Sequence, residues 1–289
     1  MRARAPASSA NLGPGFDALA VALNLYVQVE IEPAESLRLV TEGEGANQFE
    51  SSSHLAVQVA RQVVGHDRLS ITVRSEIPLS RGLGSSAALA VAAAAAAGAD
   101  DPFAVATEVD GHPENAAASA FGGLVAASMV DGLAVSVPLP LSDELAFVVM
   151  VPDRTLSTAE ARQVLPASLS RTDATFNLGR MGLLLAGLAD PTHLTSAATE
   201  DRVHQTARTA LFPESASLLA AFEEAGALAS CWSGAGPSLL GIATIASADK
   251  VRHGAEAAMQ DAGVAGHVMV LQADHDGLVL GDAATLPPR

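Results

Sequence analysis

The apolar positions change period along the chain, and each change marks an element. Toward its end VALNLYVQVEI, Val21 to Ile31, alternates apolar and polar residues, as do LRLV near position 40 and LSITVRSEI near position 75, which predicts strands. Between the last two, SSSHLAVQVARQVVG sets Leu55, Val59 and Val63 at helical spacing behind a serine cluster, which predicts a serine-capped helix laid on a sheet. A glycine-rich turn at 82–84 leads into a run from Ala87 to Ala99 that is nearly all alanine, and a second helix is expected over roughly 102–119. Gly122-Gly123 then breaks into LVAASMV and LAVSVPL, which read as a hairpin around Asp131-Gly132.

PLPLSDEL at 138–145 sets prolines and acids between apolar strands and predicts a domain boundary, dividing the chain into 1–142 and 143–289. Beyond it LAFVVMVP reads as a buried strand, followed by helices at about 157–165, 173–189, 191–198 and 214–227. CWSGAGPSLLGIA reads as strand, turn and strand. A helix at about 247–262 and a closing hairpin follow, HVMVLQA and GLVLG turned through Asp274-His275-Asp276-Gly277. Strands and helices mixed in both halves predict an α+β fold.

Composition narrows the picture. The 289 residues suffice for about two domains of roughly 150 each. With 49% hydrophobic and only 3% aromatic residues, the core must be built from Ala, Val and Leu. The 32 acids against 16 bases give a net charge of −16, which repels nucleic acid on average but allows a locally positive pocket. A single lysine, Lys250, in an Ala-Asp-Lys-Val context, removes a Walker P-loop and a protein-kinase lysine. The lone Cys231 removes an intrachain disulfide and any multi-cysteine metal site, so a reducing, cytoplasmic setting is expected. MRARAPASSANLG lacks an apolar core of signal-peptide length, and the alanine run is shorter than the roughly 20 residues a bilayer needs, so no membrane partner is expected.

Candidate chemistry lies in three Gly/Ser-rich segments: PASSANLGPGFD at 6–17, PLSRGLGSSAAL at 78–89 and SGAGPSLLG at 233–241. In the second, Gly82, Gly84, Ser85 and Ser86 stand just before the alanine helix, where unencumbered N–H groups and the helix dipole suit a phosphate. An N-cap behind a glycine turn explains the same residues. EVDGHPEN at 108–115 gathers three carboxylates, an imidazole and a carboxamide where one helix ends and the next begins, and a solvated acidic helix end is the plainer account. Beside a phosphate loop, however, Mg²⁺ needs one or two carboxylates, and Asp110 is the leading candidate.

Taken in order, these segments resemble the GHMP kinases, and within them the homoserine kinases. PLSRGLGSSAA resembles the superfamily's phosphate loop and SGAGPS its third motif, while PASSANLGPGFD, DGHPEN, LSTAEARQVLP at 156–166 and DRVHQTAR at 201–208 are similar to homoserine-kinase segments. The resemblance runs from Pro6 to about Gly241. It implies a two-domain α+β fold, the N-terminal domain like domain 2 of ribosomal protein S5 and the C-terminal one ferredoxin-like, with the site in the cleft between them. It implies transfer of the ATP γ-phosphate to the side-chain hydroxyl of L-homoserine, giving O-phospho-L-homoserine on the threonine route, with a homodimer as the expected assembly.

By motif, Pro78, Ser80, Arg81, Gly82, Leu83, Gly84, Ser85 and Ser86 would form the ATP loop, with Ser86 and Asp110 on Mg²⁺. Asn11 would orient the substrate hydroxyl and Asp17 would take the ammonium, with His112, Arg162 and Arg208 completing the substrate pocket. Where some relatives carry an aspartate that serves as base, this chain has Asn115, a carboxamide that cannot act so near neutral pH. Asp110 stands for the usual Glu, Glu114 for the usual Asp, and His54 for a common Asn. Competing readings are a GHMP-type kinase for threonine, mevalonate or a diphosphocytidyl sugar alcohol, or a silent nucleotide-binding relative. Arg162 and Arg208 could be surface arginines, Asn11 a turn residue, and Asp17 a helix cap.

Overall fold

A computed structural model describes residues 1–46, 48 and 51–281. In its first half the elements are β1 (Arg2–Asn11), β2 (Gly15–Pro33), β3 (Arg38–Gly43), α1 (Leu55–Val64), β4 (Leu69–Ser75), α2 (Ser85–Ala96), α3 (Pro102–Asp110), α4 (Pro113–Phe121), β5 (Leu124–Val130) and β6 (Leu133–Leu139). Then follow β7 (Leu145–Pro152), α5 (Thr158–Gln163), α6 (Arg171–Ala189), α7 (Gln205–Arg208), α8 (Ser215–Ala225), β8 (Ala229–Trp232), β9 (Leu239–Thr244), α9 (Ala248–Asp261), β10 (Gly266–Leu271) and β11 (Val279–Leu280).

The strands form two sheets. In the first, the order is β11-β1-β2-β4-β3, with β5 on the first half of β2 and β6 outside β5. The β5–β6 turn sits on Asp131 and Gly132, both with positive φ (50° and 81°), the backbone a two-residue hairpin of right-handed twist demands. The second sheet is antiparallel in the order β10-β7-β9-β8. Numbered within its own half, that order is 4-1-3-2 of a ferredoxin-like unit, with helices between its first and second and its third and fourth strands.

Strand β7 joins the two halves. All eight of its residues are buried. The period of two sends Leu145, Phe147, Val149 and Val151 into the large core of the first sheet, and Ala146, Val148 and Met150 into a smaller core with Phe212, Phe222 and Trp232. Helix α2 lies in the middle of the large core, against β1, β2, α1, α3 and α4, and nine of its residues, from Ala87 to Ala96, are buried. Alanine is the best helix former and lets neighbouring backbones approach closely, so this helix can be apolar on every side.

Four expectations are corrected. The helix expected at 102–119 is two helices, because Gly111 at φ 72° closes α3 and Pro113 occupies the first turn of α4. The segment 191–198 forms only 3₁₀ turns at Pro191–His193 and Ser196–Thr199. The serines before α1 do not cap it: His54 does, its Nδ1 accepting from Ala56 N at 3.3 Å. The closing hairpin does not form, since β10 pairs with β7 whereas β11 crosses back to pair with β1 in the first sheet. Asp274 makes that return: its carboxylate accepts from Tyr26 Oη (2.9 Å), Asp276 N and Gly277 N.

Candidate active site

The three Gly/Ser-rich segments, far apart in sequence, are stitched together by short hydrogen bonds. Ser8 N donates to Leu83 O (3.1 Å), Gly234 N to Ala10 O (3.0 Å) and Ser238 N to Arg81 O (3.3 Å). Ser233 Oγ donates to Gly82 O (2.7 Å) and shares a 2.8 Å hydrogen bond with Ser9 Oγ. The approach is too close for side chains: a Cβ on Gly82 would lie 2.1 Å from Ser233 O, and one on Gly84 2.0 Å from Ser8 Oγ.

Around this seam opens a cleft of about 390 Å³, lined by all three segments together with the α3–α4 junction, α5 and Arg208. At one end Gly84, φ 64°, begins α2 with no side-chain cap, and Ser85, Ser86 and Ala87 line the cleft. The unpaired first-turn N–H groups and the helix dipole are therefore left for an anion. Ser80, Gly82 and Leu83 also line it; Pro78 and Arg81 do not. Arg81 is a staple instead, because its guanidinium turns away to donate to the carbonyls of Leu79, Pro152 and Asp153, and Pro78 is buried in the turn that enters the loop. A second pocket of about 40 Å³ shares Ser85 with the cleft and is lined by His54, Glu42, Glu44 and Leu89 among others.

At the other end the charges alternate. Asp17 and Arg162 form a bidentate pair at 3.0 and 2.8 Å. Asn11, 5% exposed and at φ 71°, donates from Nδ2 to Gly234 O (2.8 Å) and accepts from Asp17 N at Oδ1 (3.0 Å), so it positions Asp17 while one N–H and one lone pair stay free. Arg208 is 2% exposed and donates to Gly234 O (2.9 Å), Ala161 O (3.3 Å) and His204 Nδ1 (3.1 Å). Burial, then the neighbouring Arg162, lowers its pKa to about 10, so it stays cationic at neutral pH. Phe16 lies under both guanidinium groups and stacks on His204 at 5.1 Å.

Between the two ends stands the α3–α4 junction. His112 Nδ1 contacts Asp110 O at 2.7 Å and Asp110 Oδ2 at 3.4 Å, and that hydrogen bond outweighs burial to hold the imidazole pKa above its ordinary value. Asn115 Oδ1 accepts from Ser8 Oγ (2.9 Å), and its Nδ2 donates to Glu114 Oε1 (3.0 Å). Asp110 and Ser86, both on the cleft, supply hard oxygen donors. No group of three or more His, Cys, Asp or Glu among the described residues could hold a metal alone. Asp110 and Ser86 are donors of the type Mg²⁺ takes, an ion that binds one or two carboxylates and completes its shell with phosphate oxygens and water.

Sequence reasoning gathers these residues but misses those behind them. Ser8, Ser9, Phe16, His204 and Asp201 are absent from its site. Asp201 starts α7, accepting from Val203 N, His204 N and Gln205 N as well as Asn177 Nδ2. His204 is fully buried, its Nε2 2.9 Å from Gly13 O and its Nδ1 on Arg208. Burial lowers its pKa to about 4, so the ring is neutral, Nε2–H donates and Nδ1 accepts the guanidinium proton. The i, i+4 spacing of His204 and Arg208 in DRVHQTAR carries that signal.

Comparison with known proteins identifies the chain's relatives. The pattern described as GHMP kinases N terminal domain matches residues 54–123, and the one described as GHMP kinases C terminal matches 178–261. A homoserine kinase from Mycolicibacterium smegmatis is 42% identical over 262 residues, covering 82% of each chain. One from Streptomyces coelicolor is 40% identical over 269 residues, covering 87% of each. The crystal structure of homoserine kinase from Cytophaga hutchinsonii superposes with a TM-score of 0.83 over 96% of both chains at 24% identity, a likeness of fold. With its loops, its two sheets and these relatives in agreement, the chain belongs to the homoserine kinase family of the GHMP kinases.

Proposed function

We infer that this chain transfers the γ-phosphoryl group of ATP to the side-chain hydroxyl of L-homoserine. The observation that carries the reading is one cleft with an uncapped helix N-terminus at one end and Asp17, Arg162 and Arg208 at the other. An amino-acid alcohol presents an ammonium for a carboxylate and a carboxylate for a guanidinium fork. Mevalonate has no ammonium to match Asp17.

The first-turn N–H groups of α2 and the 82–84 backbone would hold the triphosphate, with the nucleoside end toward the smaller pocket beside His54. Ser86 and Asp110 would hold Mg²⁺, which when bound offsets phosphate charge. Asp17 would leave Arg162 for the substrate ammonium, freeing Arg162 to join Arg208 on the carboxylate. The spare hydrogen-bonding capacity of Asn11 would orient the hydroxyl. The hydroxyl oxygen forms its bond to the γ-phosphorus as the bond to the bridging oxygen of ADP breaks, and the hydroxyl proton leaves to a phosphate oxygen. Alignment and charge neutralisation can support such a loose transition state.

Of two units, 1–142 would carry the nucleotide loop together with Asn11 and Asp17, and 143–289 would add Arg162 and Arg208 on the substrate side, with β11 returned to the first sheet. The reading extends to a cytoplasmic homodimer, and the exposed apolar row Leu133, Val135 and Val137 on edge strand β6 offers a surface for a second copy, which sedimentation velocity tests. Coupled ADP release measured with L-homoserine, L-threonine, L-serine and mevalonate tests the reaction. Homoserine should give the highest kcat/KM, and faster turnover of another alcohol would overturn the assignment.

A further inference from the structure

Glu114 lines the cleft, yet the reaction as read above gives it no part. It lies in the first turn of α4 and is 2% exposed. Oε1 accepts from Asn115 Nδ2, while Oε2 is buried with no hydrogen-bond partner. A carboxylate oxygen held out of water without a donor is costly, and one kept so in a ligand cleft implies that the ligand brings the donor.

The neighbouring cations are engaged elsewhere. Arg162 is paired with Asp17, Arg208 with Gly234 O, Ala161 O and His204, and His112 with Asp110. Burial raises the Glu114 carboxyl above its ordinary range; of the two acids that add to the rise, Asp17 acts more strongly than Asp110. Glu114 and Asp17 line the same cleft.

We propose that Glu114 is a second carboxylate for the substrate's ammonium group, a specificity-determining residue that works with Asp17 to select an α-amino acid over an alcohol without the amine. The proposal rests on the homoserine reading above. An ammonium has three N–H donors, so one group can satisfy Glu114 Oε2 and Asp17 together. Asn115, bound to both Ser8 and Glu114, fixes that carboxylate relative to the phosphate loop.

The test compares wild type with Glu114→Gln, which keeps the size, and Glu114→Asp, which keeps the charge. For Glu114→Gln we expect KM for L-homoserine to rise about tenfold or more, with kcat, KM for ATP and the Mg²⁺ half-saturation each within about threefold of wild type. Glu114→Asp should recover most of the loss. Inhibition by 2,4-dihydroxybutanoate, in which a hydroxyl replaces the ammonium, should change less than about twofold. An unchanged homoserine KM, equal losses for homoserine and the dihydroxy acid, or a defect relieved by excess Mg²⁺ would each overturn the proposal. Wild type that fails to phosphorylate homoserine would instead overturn the underlying reading, so the two failures are distinct.

Discussion

Arg162 and Asp17, 145 residues apart in the chain, face each other across the mouth of the cleft in a two-point ion pair, with N–O distances of 2.8 and 3.0 Å. Both side chains are 39% exposed, and a pair that accessible contributes little stability, so a ligand can open it at small cost. The pair is complementary to a zwitterion: on the proposed reading the ammonium would take Asp17 and the carboxylate Arg162.

Substitutions at the pair should therefore act on substrate binding and leave the fold intact. Asp17→Asn and Arg162→Lys should each raise KM for homoserine about tenfold or more, because Lys cannot reproduce the fork, while KM for ATP and the melting temperature stay near wild type. Steady-state kinetics in both substrates, with thermal melts, check this. Arg208→Lys should raise the homoserine KM too and also lower the melting temperature, since it breaks buried bonds to Gly234 O and His204.

Asp110 should control kcat instead. Asp110→Asn keeps the volume but removes charge from the proposed Mg²⁺ site, and should cost on the order of 10²-fold in kcat, a few kcal/mol of transition-state stabilisation. Titrating Mg²⁺ in wild type and variant checks it. A rate that stays near normal at saturating Mg²⁺ would move the ligand elsewhere, with Glu108 the next acid to test.

Much of this architecture is legible in the sequence because it is local. Period-two runs give β2, β3 and β4, Asp131-Gly132 gives its hairpin, and the glycines at 82–84 announce the turn that enters the alanine helix, whereas β1, rich in Ala and Ser, goes unread. What is missed depends on long-range partners. Arg81 reads as a phosphate ligand, yet carbonyls at the end of β7 capture its guanidinium. GLVLG follows HVMVLQA so closely that a hairpin is the natural reading, but β1 offers β11 an open edge in the other sheet. His204 lies one helical turn before Arg208, and only the folded chain shows that its neutral ring holds that guanidinium.

The state of that ring sets an acid limit on stability. His204 has a folded pKa of about 4, below the 6.5 of an unperturbed histidine, because burial disfavours the cation. Between these values the unfolded chain binds more protons than the native one, so stability is full above about pH 6.5 and falls as the pH drops toward 4. Asp201, lowered although burial opposes it, also loses stability on acidification, below its unfolded pKa. Melting temperatures from pH 8 to 4 should fall through this window, and His204→Gln should flatten the limb between 6.5 and 4. A slope identical in the variant would assign the acid sensitivity to other groups.

The last prediction concerns the proton of the attacking hydroxyl. Asn115 cannot take it, and its amide is committed to Ser8 and Glu114. The hydrogen bond to Asp110 favours the protonated imidazole of His112 and holds its pKa above the ordinary value, which works against a role as base. The loose transition state builds little charge on the nucleophile before transfer, and the proton can leave late to a phosphate oxygen. We therefore expect kcat to show no steep ionisation from about pH 6 to 9, and Asn115→Ala to cost much less than Asp110→Asn. Deprotonating His112 removes a positive charge from the cleft, so any effect it has should appear as a shallow decline toward high pH and should vanish in His112→Gln. A limb that instead rises with pH, disappears in His112→Gln and comes with a kcat loss as large as that of Asp110→Asn would make His112 the base and refute transfer without one.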